Sequence, residues 1–191
     1  GVACAPDGGG GTTIATAGAR SLKLWRLDGS SLKLWRRAEL SPAKPGVAGG
    51  GGGVREPTLC CVAYLRSGLL IAGTSRGEIW SWAAGGELVS RLRVHAGPVF
   101  ALQCHPEEDW VLSGGKDGRL RLWGPAVWER ANASTPTAPA QAAPVRMLDL
   151  RSLAAALTDV AGRPRLLGPP CLRAIHWVGE RMLVGTRAGE L

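Results

Sequence analysis

The stretch VHAGPVFALQCHPEEDWVLSGGKDGRLRLWG, residues 94–124, decides how the rest of the chain is interpreted. It contains three short runs with β-strand character, PVFALQCH, DWVLSGG and GRLRLW, which are separated by turn residues. Other strand-like stretches of the chain repeat its second half. The stretch therefore predicts one unit of a repeated β structure.

The repeat becomes visible when LIAGTSRGEIWSW (70–82) is aligned with VLSGGKDGRLRLW (111–123), at an offset of 41 residues. The coincident positions include two glycines and the closing tryptophan, namely Gly73 with Gly114, Gly77 with Gly118 and Trp82 with Trp123. TIATAGARSLKLW, which ends at Trp25, is a looser copy, and VGTRAGEL (184–191) matches AGTSRGEI (72–79). A unit of about 40 residues with four strands and a terminal Trp is typical of β-propeller blades.

We therefore predict an all-β fold, an incomplete β-propeller with about three four-stranded blades and part of a fourth. The predicted blades cover 1–40, 58–93, 94–150 and 171–191, the loops cover 41–57 and 131–144, and an insertion with one short helix covers 150–170. In the first blade the string SLKLWR occurs at 21–26 and again at 31–36. Asp28-Gly29 predicts a hairpin turn between them, but the sequence leaves open whether the copies are paired strands or a local duplication.

The composition limits the possible functions without defining a site. The 191 residues include 28 glycines and 13 prolines, which favours short elements joined by turns. The net charge of +8 would attract acidic partners, but the arginines are scattered, with no run longer than Arg36-Arg37. The five cysteines lack paired ligand spacing, so we expect buried reduced thiols and neither a disulfide framework nor a zinc site.

No apolar run approaches the roughly 20 residues of a membrane-spanning helix, so no membrane partner is expected. The chain opens GVACAPDGGG, without a signal peptide or an initiating Met, which indicates a piece of a longer protein. Because three blades and a part cannot close a ring, we expect unpaired strand edges and poor solubility of the isolated chain.

Residues 94–124 resemble the WD40 repeat. The resemblance covers the family's His, the Ser or Thr of the second strand, the acidic residue of the following turn and the Trp that ends the third strand, which are here His95, Ser113, Asp117 and Trp123. It implies a hydrogen-bond relay among these four side chains that ties the blade together. The stretch departs from the family at Val94 and Gly124, where Gly and Asp are usual.

The relay is not expected in the preceding blade. Ala72 and Arg76 stand where Ser and Asp would be, and only the blade-closing Trp82 is kept. Trp25 is the corresponding blade-closing residue of the first unit.

The order of motifs resembles the echinoderm-microtubule-associated-protein-like (EML) family. The segments that carry this resemblance are GEIWSW, HAGPVFAL, GGKDGRLRLW and LRAIHWVGERMLVGTRAGEL, in that order. It covers about residues 12–40 and 58–191, and it implies a propeller that binds microtubules or tubulin. The family's coiled coil, its basic microtubule-binding region and the hydrophobic motif that precedes its propellers have no counterpart in this sequence.

Ser113, His95 and Asp117 are also the residue types of a hydrolase triad. The sequence has no Gly-x-Ser-x-Gly turn, and Ser113 lies inside a strand pattern, so we expect no catalytic residue. Cys104-His105 and His176 lack metal-ligand spacing, so neither a metal nor a cofactor is expected.

Eight tryptophans could serve as stacking platforms for single-stranded nucleic acid. Trp25, Trp82 and Trp123 recur at blade positions, which favours packing and argues against nucleic acid as a partner; Trp110 and Trp128 are less explained.

The sequence thus predicts a non-catalytic protein-interaction propeller of a microtubule-associated protein, located at the cytoskeleton in the cytoplasm. Tubulin or microtubules would be its partner, and other proteins would bind through the propeller loops. The alternative is a WD40 scaffold subunit of another complex, such as one for RNA processing or ubiquitin ligation, since the same residues would support it.

Overall fold

The structure is a computed structural model that describes residues 1–5, 12–38, 40, 56–132, 143–150, 152, 171–179 and 181–187. Most of the predicted loops at 41–57 and 131–144 and of the predicted insertion at 150–170, with its helix, lie outside the described residues. The end of the VGTRAGEL motif also lies outside them. Within the described ranges the chain forms four antiparallel sheets and an eight-residue helix.

The first two sheets each contain four strands that are hydrogen-bonded in chain order. The first sheet consists of β1 (Val2–Cys4), β2 (Thr13–Gly18), β3 (Ser21–Asp28) and β4 (Ser31–Arg37). The second consists of β5 (Leu59–Tyr64), β6 (Leu70–Thr74), β7 (Glu78–Trp82) and β8 (Leu88–Arg93).

The third sheet also contains four strands, and the fourth contains two in the described part of the chain. The third consists of β9 (Val99–Cys104), β10 (Val111–Gly115), β11 (Arg119–Trp123) and β12 (Arg146–Asp149), with α1 (Pro125–Asn132) between its last two strands. The fourth consists of β13 (Leu172–Val178) and β14 (Arg181–Thr186).

The first strands of consecutive sheets contact one another, β1 with β5, β5 with β9 and β9 with β13. The sheets therefore stand side by side with their first strands innermost and their last strands outermost. This is the arrangement of propeller blades, and the prediction of an all-β, incomplete propeller is confirmed.

The two SLKLWR copies are adjacent antiparallel strands. β3 and β4 pair through a hairpin in which Gly29 has a φ of 57°. Trp25 lies opposite Leu34 and not opposite Trp35, because a register shift follows Leu24. The structure thus decides the question that the sequence left open.

The hydrophobic core lies in layers between neighbouring sheets. In β6, Leu70 packs toward the first sheet and Ile71 toward the third. In β10, Val111 packs toward the second sheet and Leu112 toward the fourth. All five residues of each of these strands are buried. Burial on both faces fits the small and mainly apolar residues of the two strands, LIAGT and VLSGG, in which Thr74 and Ser113 are the polar side chains. Each fully buried Leu, Ile or Val side chain contributes about 1.5–3 kcal/mol.

Helix α1 was not predicted from the sequence. It follows Gly124 at the end of β11 and contacts β8, the outer strand of the second sheet. Trp128 is 3% exposed and belongs to the apolar layer between the second and third sheets. Its burial gives this tryptophan the packing role that the blade pattern alone could not assign to it.

The expectation of buried thiols was wrong for Cys4. Cys171 is buried, Cys60, Cys61 and Cys104 are partly buried, and Cys4 on β1 is exposed. β1 has no neighbouring blade on one side in the described part of the chain, so alternation along the strand leaves a side chain uncovered. Burial raises the pKa of Cys61 and Cys104 to about 12, so these two thiols are poor nucleophiles. The described part of the chain has no helix with the length and apolar character needed to span a membrane.

Candidate functional site

The third sheet contains a chain of buried polar side chains. His95 Nδ1 lies 2.9 Å from Asp117 Oδ1 and 3.1 Å from Oδ2, and His95 Nε2 lies 2.9 Å from Ser113 Oγ. Trp123 donates its Nε1–H to the same Oγ across 2.9 Å. The structure therefore brings the four residues His95, Ser113, Asp117 and Trp123 into one line of hydrogen bonds, called the relay below.

The position of each member follows from the strands. Ser113 lies in β10 opposite Arg121, two residues from the pair formed by Val111 and Trp123, so Trp123 reaches it diagonally across the two strands. Asp117 lies in the turn between these strands. His95 enters from the segment that connects the second sheet to β9.

The protons of the relay can be placed in one consistent direction. An ionised carboxylate only accepts, so His95 Nδ1–H donates to Asp117 and Nε2 is left as an acceptor. Ser113 then donates its hydroxyl proton to Nε2, while its oxygen accepts from Trp123. Each hydrogen-bonding atom of the His95 ring and of the Ser113 hydroxyl is thereby satisfied, as buried polar groups require.

Burial sets the charge state of the pair. It lowers the pKa of His95 from its ordinary value of 6.5, and this effect outweighs the opposing influence of Asp117. For Asp117, burial alone would raise the pKa, but the charge and hydrogen bond of His95 and the two backbone N–H donors bring it below 3.8. Near neutral pH the pair is therefore a neutral imidazole and a carboxylate.

Asp117 also anchors the backbone around it. Its Oδ2 accepts from Ala96 N at 3.2 Å, and its Oδ1 accepts from Arg119 N at 3.2 Å. The Arg121 guanidinium lies 3.9 Å from Oδ2. One carboxylate thus joins the strand-connecting turn of the third sheet to the segment that leads into its first strand.

This constellation is unsuited to nucleophilic catalysis. Ser113 has no exposed surface, and the His95 side chain is also inaccessible to solvent. A substrate carbonyl could not reach the hydroxyl oxygen, which already accepts from Trp123. The triad-like residue types therefore form an internal contact between elements of the sheet.

Part of the relay is present in the first sheet, where the sequence comparison had not found it. Trp25 donates its Nε1–H to Thr16 Oγ1 across 2.9 Å. The gap-free alignment places Ala15 opposite Ser113, whereas the strand register places Thr16 there, because the β2–β3 turn is one residue shorter. Allowing one deletion in that turn would have revealed the bond.

The second sheet replaces the missing carboxylate with a hydroxyl. Thr74 Oγ1 accepts from Glu78 N at 3.1 Å and from Arg76 N at 3.3 Å, so it closes the turn as Asp117 closes its own. Trp82 is fully buried, opposite Leu70, and Ala72 stands at the position of Ser113. The turn is thus closed by a hydroxyl group, and an alanine takes the place of the relay serine.

The described residues contain no group of three or more His, Cys, Asp or Glu side chains that could hold a metal ion. His105 contacts the Trp177 ring edge-on, at 5.3 Å between centroids, so it packs against the fourth sheet.

Comparison with known proteins agrees with this geometry. Residues 86–124 match the family model described as WD40, the WD domain or G-beta repeat. The chain is 30% identical over 115 residues to human echinoderm microtubule-associated protein-like 2, which covers 59% of this chain and 16% of that protein. It is 31% identical over 112 residues to human echinoderm microtubule-associated protein-like 1, covering 58% of this chain and 12% of that protein.

A shorter match, 42% identical over 33 residues, links the chain to restriction of telomere capping protein 1 of Kluyveromyces lactis. It covers 17% of this chain and 2% of that protein, so it shows similarity to one repeat. The chain spans no more than 16% of the length of these relatives.

The fold is that of an incomplete β-propeller, and residues 86–124 are similar to one WD40 repeat. The similarity of the chain to the EML proteins, indicated first by the order of its motifs, is confirmed by the two human relatives.

The relay predicts that acid destabilises the chain. Both His95 and Asp117 have a lower pKa in the folded chain than when unfolded, so the unfolded chain binds protons more readily. The contribution of His95 to the free energy of unfolding is complete above pH 6.5 and is lost as the pH falls below that value. The contribution of Asp117 is lost in the same way below pH 3.8. The urea midpoint should therefore be lower at about pH 5 than at about pH 7.5. The same fall in a His95→Asn variant would contradict this assignment.

Proposed function

We propose that the chain is a non-catalytic protein-interaction propeller of a microtubule-associated protein, and that its partner is tubulin or the microtubule. The single observation that supports this most strongly is a sequence identity of 30–31% to two proteins named as microtubule-associated-protein-like, over 58–59% of the chain. The relay supports a role without catalysis, because its imidazole, hydroxyl and carboxylate groups are all engaged in internal hydrogen bonds. The protein would then be located at the cytoskeleton in the cytoplasm.

The division between strands and turns supports binding through the loops. The strands of the second and third sheets are held by apolar layers and by the relay, so they are suited to keep the connecting turns in fixed positions. Exposed turns on a rigid scaffold are the usual location of binding residues. A propeller can contact a partner through several such turns at once.

Co-sedimentation with stabilised microtubules tests the proposal. A longer protein that contains this chain should pellet with microtubules at low ionic strength and stay in the supernatant without them. With a tag, the same longer protein should coincide with microtubules in fixed cells. Failure of the longer protein to pellet at low salt would overturn the proposed partner.

A further inference from the structure

The charges of this chain, which look scattered along the sequence, are sorted between the two sides of the propeller. Within each sheet, the turn between the second and third strands faces one side, together with the segment that leads into the first strand. We call this side the cationic face. The other side carries the turns between the first and second and between the third and fourth strands.

Backbone hydrogen bonds show that these turns and leading segments share one face. Ser75 N donates to Thr58 O at 2.8 Å, and Ala19 forms a β-bridge with the same Thr58. Lys116 N donates to Pro98 O at 2.9 Å. The β2–β3, β6–β7 and β10–β11 turns therefore each lie beside the start of an inner strand.

The second and third sheets are joined on this face as well. Gly77 O, in the β6–β7 turn, accepts from both Val94 N and His95 N at 2.9 Å. In the fourth sheet, Arg187 N, after β14, donates to Cys171 O at 2.9 Å. The turns of the first three sheets are thus linked from one sheet to the next, and the fourth sheet has the equivalent contact between its own strand ends.

Each sheet places an exposed cation at this point. The four residues, all exposed, are Arg20, Arg76, Lys116 and Arg187. They lie far apart in sequence, so no run of basic residues signals them. The fold converts one cation per repeat into a row along one face.

Among the described residues of this face, few acidic side chains are available to neutralise the positive charge of the four cations. Asp117 is 9% exposed and engaged with His95, and Glu78 accepts from Trp80 Nε1 at 2.8 Å. Glu56 lies 4.0 Å from Arg20, where both side chains are at the surface. A surface pair of this kind is screened by water and leaves most of the cation's field in place.

The opposite side has the reverse character. Its described turns carry exposed or partly exposed acids, which are Asp28, Glu87, Glu107, Glu108 and Asp109. Lys33 and Arg36 form ion pairs with two of them, at 2.6 and 3.1 Å. Arg66 is a cation in the turns of this side. Among the described turns, the acids therefore collect on the opposite side, and the cationic face carries one exposed cation per sheet.

We propose that the cationic face binds an extended acidic polypeptide segment, which would lie across the four turns. Charge complementarity identifies the chemistry, since point cations spaced one per blade match carboxylates distributed along an extended chain. Stacked bases would need exposed aromatic rings, and none of the four turns contributes one. The inference rests on the proposed interaction role and adds to it the binding surface and the kind of partner.

A labelled peptide of alternating Glu and Gly, roughly 12 residues long so that it spans several turns at about 3.3 Å per residue, is the probe. Fluorescence anisotropy at about 50 mM salt should show binding that weakens about tenfold at about 200 mM. The Arg76→Glu/Lys116→Glu variant should bind at least about tenfold more weakly than the unchanged chain.

The matched control is Arg66→Glu/Arg181→Glu, which makes the same change in net charge beside turns of the opposite side. It should weaken binding less than about threefold. Equal weakening by both variants would show that only net charge matters and would overturn the inference. Tighter binding of an oligouridine of equal charge would also overturn it, in favour of nucleic acid.

Co-sedimentation separates this inference from the proposed function. If the Arg76→Glu/Lys116→Glu variant pellets with microtubules as well as the unchanged chain does, the microtubule role stands and the cationic face is excluded as its site. If peptide binding depends on the face but nothing pellets, the face stands and the microtubule role fails.

Discussion

Replacing Asp117 by alanine is expected to lower the free energy of unfolding by about 3 kcal/mol, near the upper end for the loss of one buried acceptor. Three donors lose their partner at once: His95 Nδ1–H and the backbone N–H groups of Ala96 and Arg119. His95 lies in a nearly closed interior, because it is 3% exposed, and the two backbone hydrogen bonds are partly buried. Urea unfolding followed by the fluorescence of the tryptophans gives the measurement.

Two further variants show whether the loss comes from the relay. Asp117→Asn keeps one acceptor oxygen but no charge, so its cost should be intermediate, at about 1–2 kcal/mol. Asp28→Ala removes an exposed carboxylate whose partner is Lys33, and the free energy should stay within about 0.5 kcal/mol of the parent value. If Asp117→Ala behaves like Asp28→Ala, the relay does not hold the third sheet together.

The all-β architecture could be predicted because short segments of the sequence show the repeat. Strand patterns about ten residues apart, glycines in the turns and the Trp at the end of the third strand are each set by short-range geometry. The hairpin at Asp28-Gly29 is of the same kind, and the structure contains it. The WD40 positions in the third sheet followed from their order in one unbroken stretch.

Other features could not be predicted because they depend on register or on contacts distant in sequence. The bond between Trp25 and Thr16 was hidden by a turn that is one residue shorter than its counterpart. Helix α1 begins at a proline, has no acid in its first turn and is held through Trp128, whose burial depends on the second sheet. Neither feature has a local sequence signal that an ungapped comparison would find.

The cationic face illustrates the same limit for function. Arg20, Arg76, Lys116 and Arg187 are single residues in four separate turns, and a linear search for basic runs discards them. Only the alignment of the sheets brings them to one side. In a repeat protein, a surface property is best sought at equivalent positions of successive units and not in contiguous segments.

Gly77→Ala is the second substitution with a large expected effect, a loss of at least about 3 kcal/mol. Gly77 has a φ of 85°, and a Cβ there would lie 2.2 Å from the carbonyl oxygen of His95 and 2.8 Å from that of Gly97. Both obstacles are backbone atoms, so no side-chain rotation relieves the contact. The segment that carries His95 would have to move, although Gly77 O holds it through Val94 N and His95 N.

Gly68→Ala is the matched control, since Gly68 has nearly the same φ of 84° but nothing within 4 Å of the added Cβ. It should cost only the left-handed backbone term of about 1 kcal/mol, so the difference between the two variants measures the close contact. Equal losses would mean that the 94–97 segment yields easily. Because Gly77→Ala and Asp117→Ala both release His95, the double variant should lose clearly less than the sum of the two single losses.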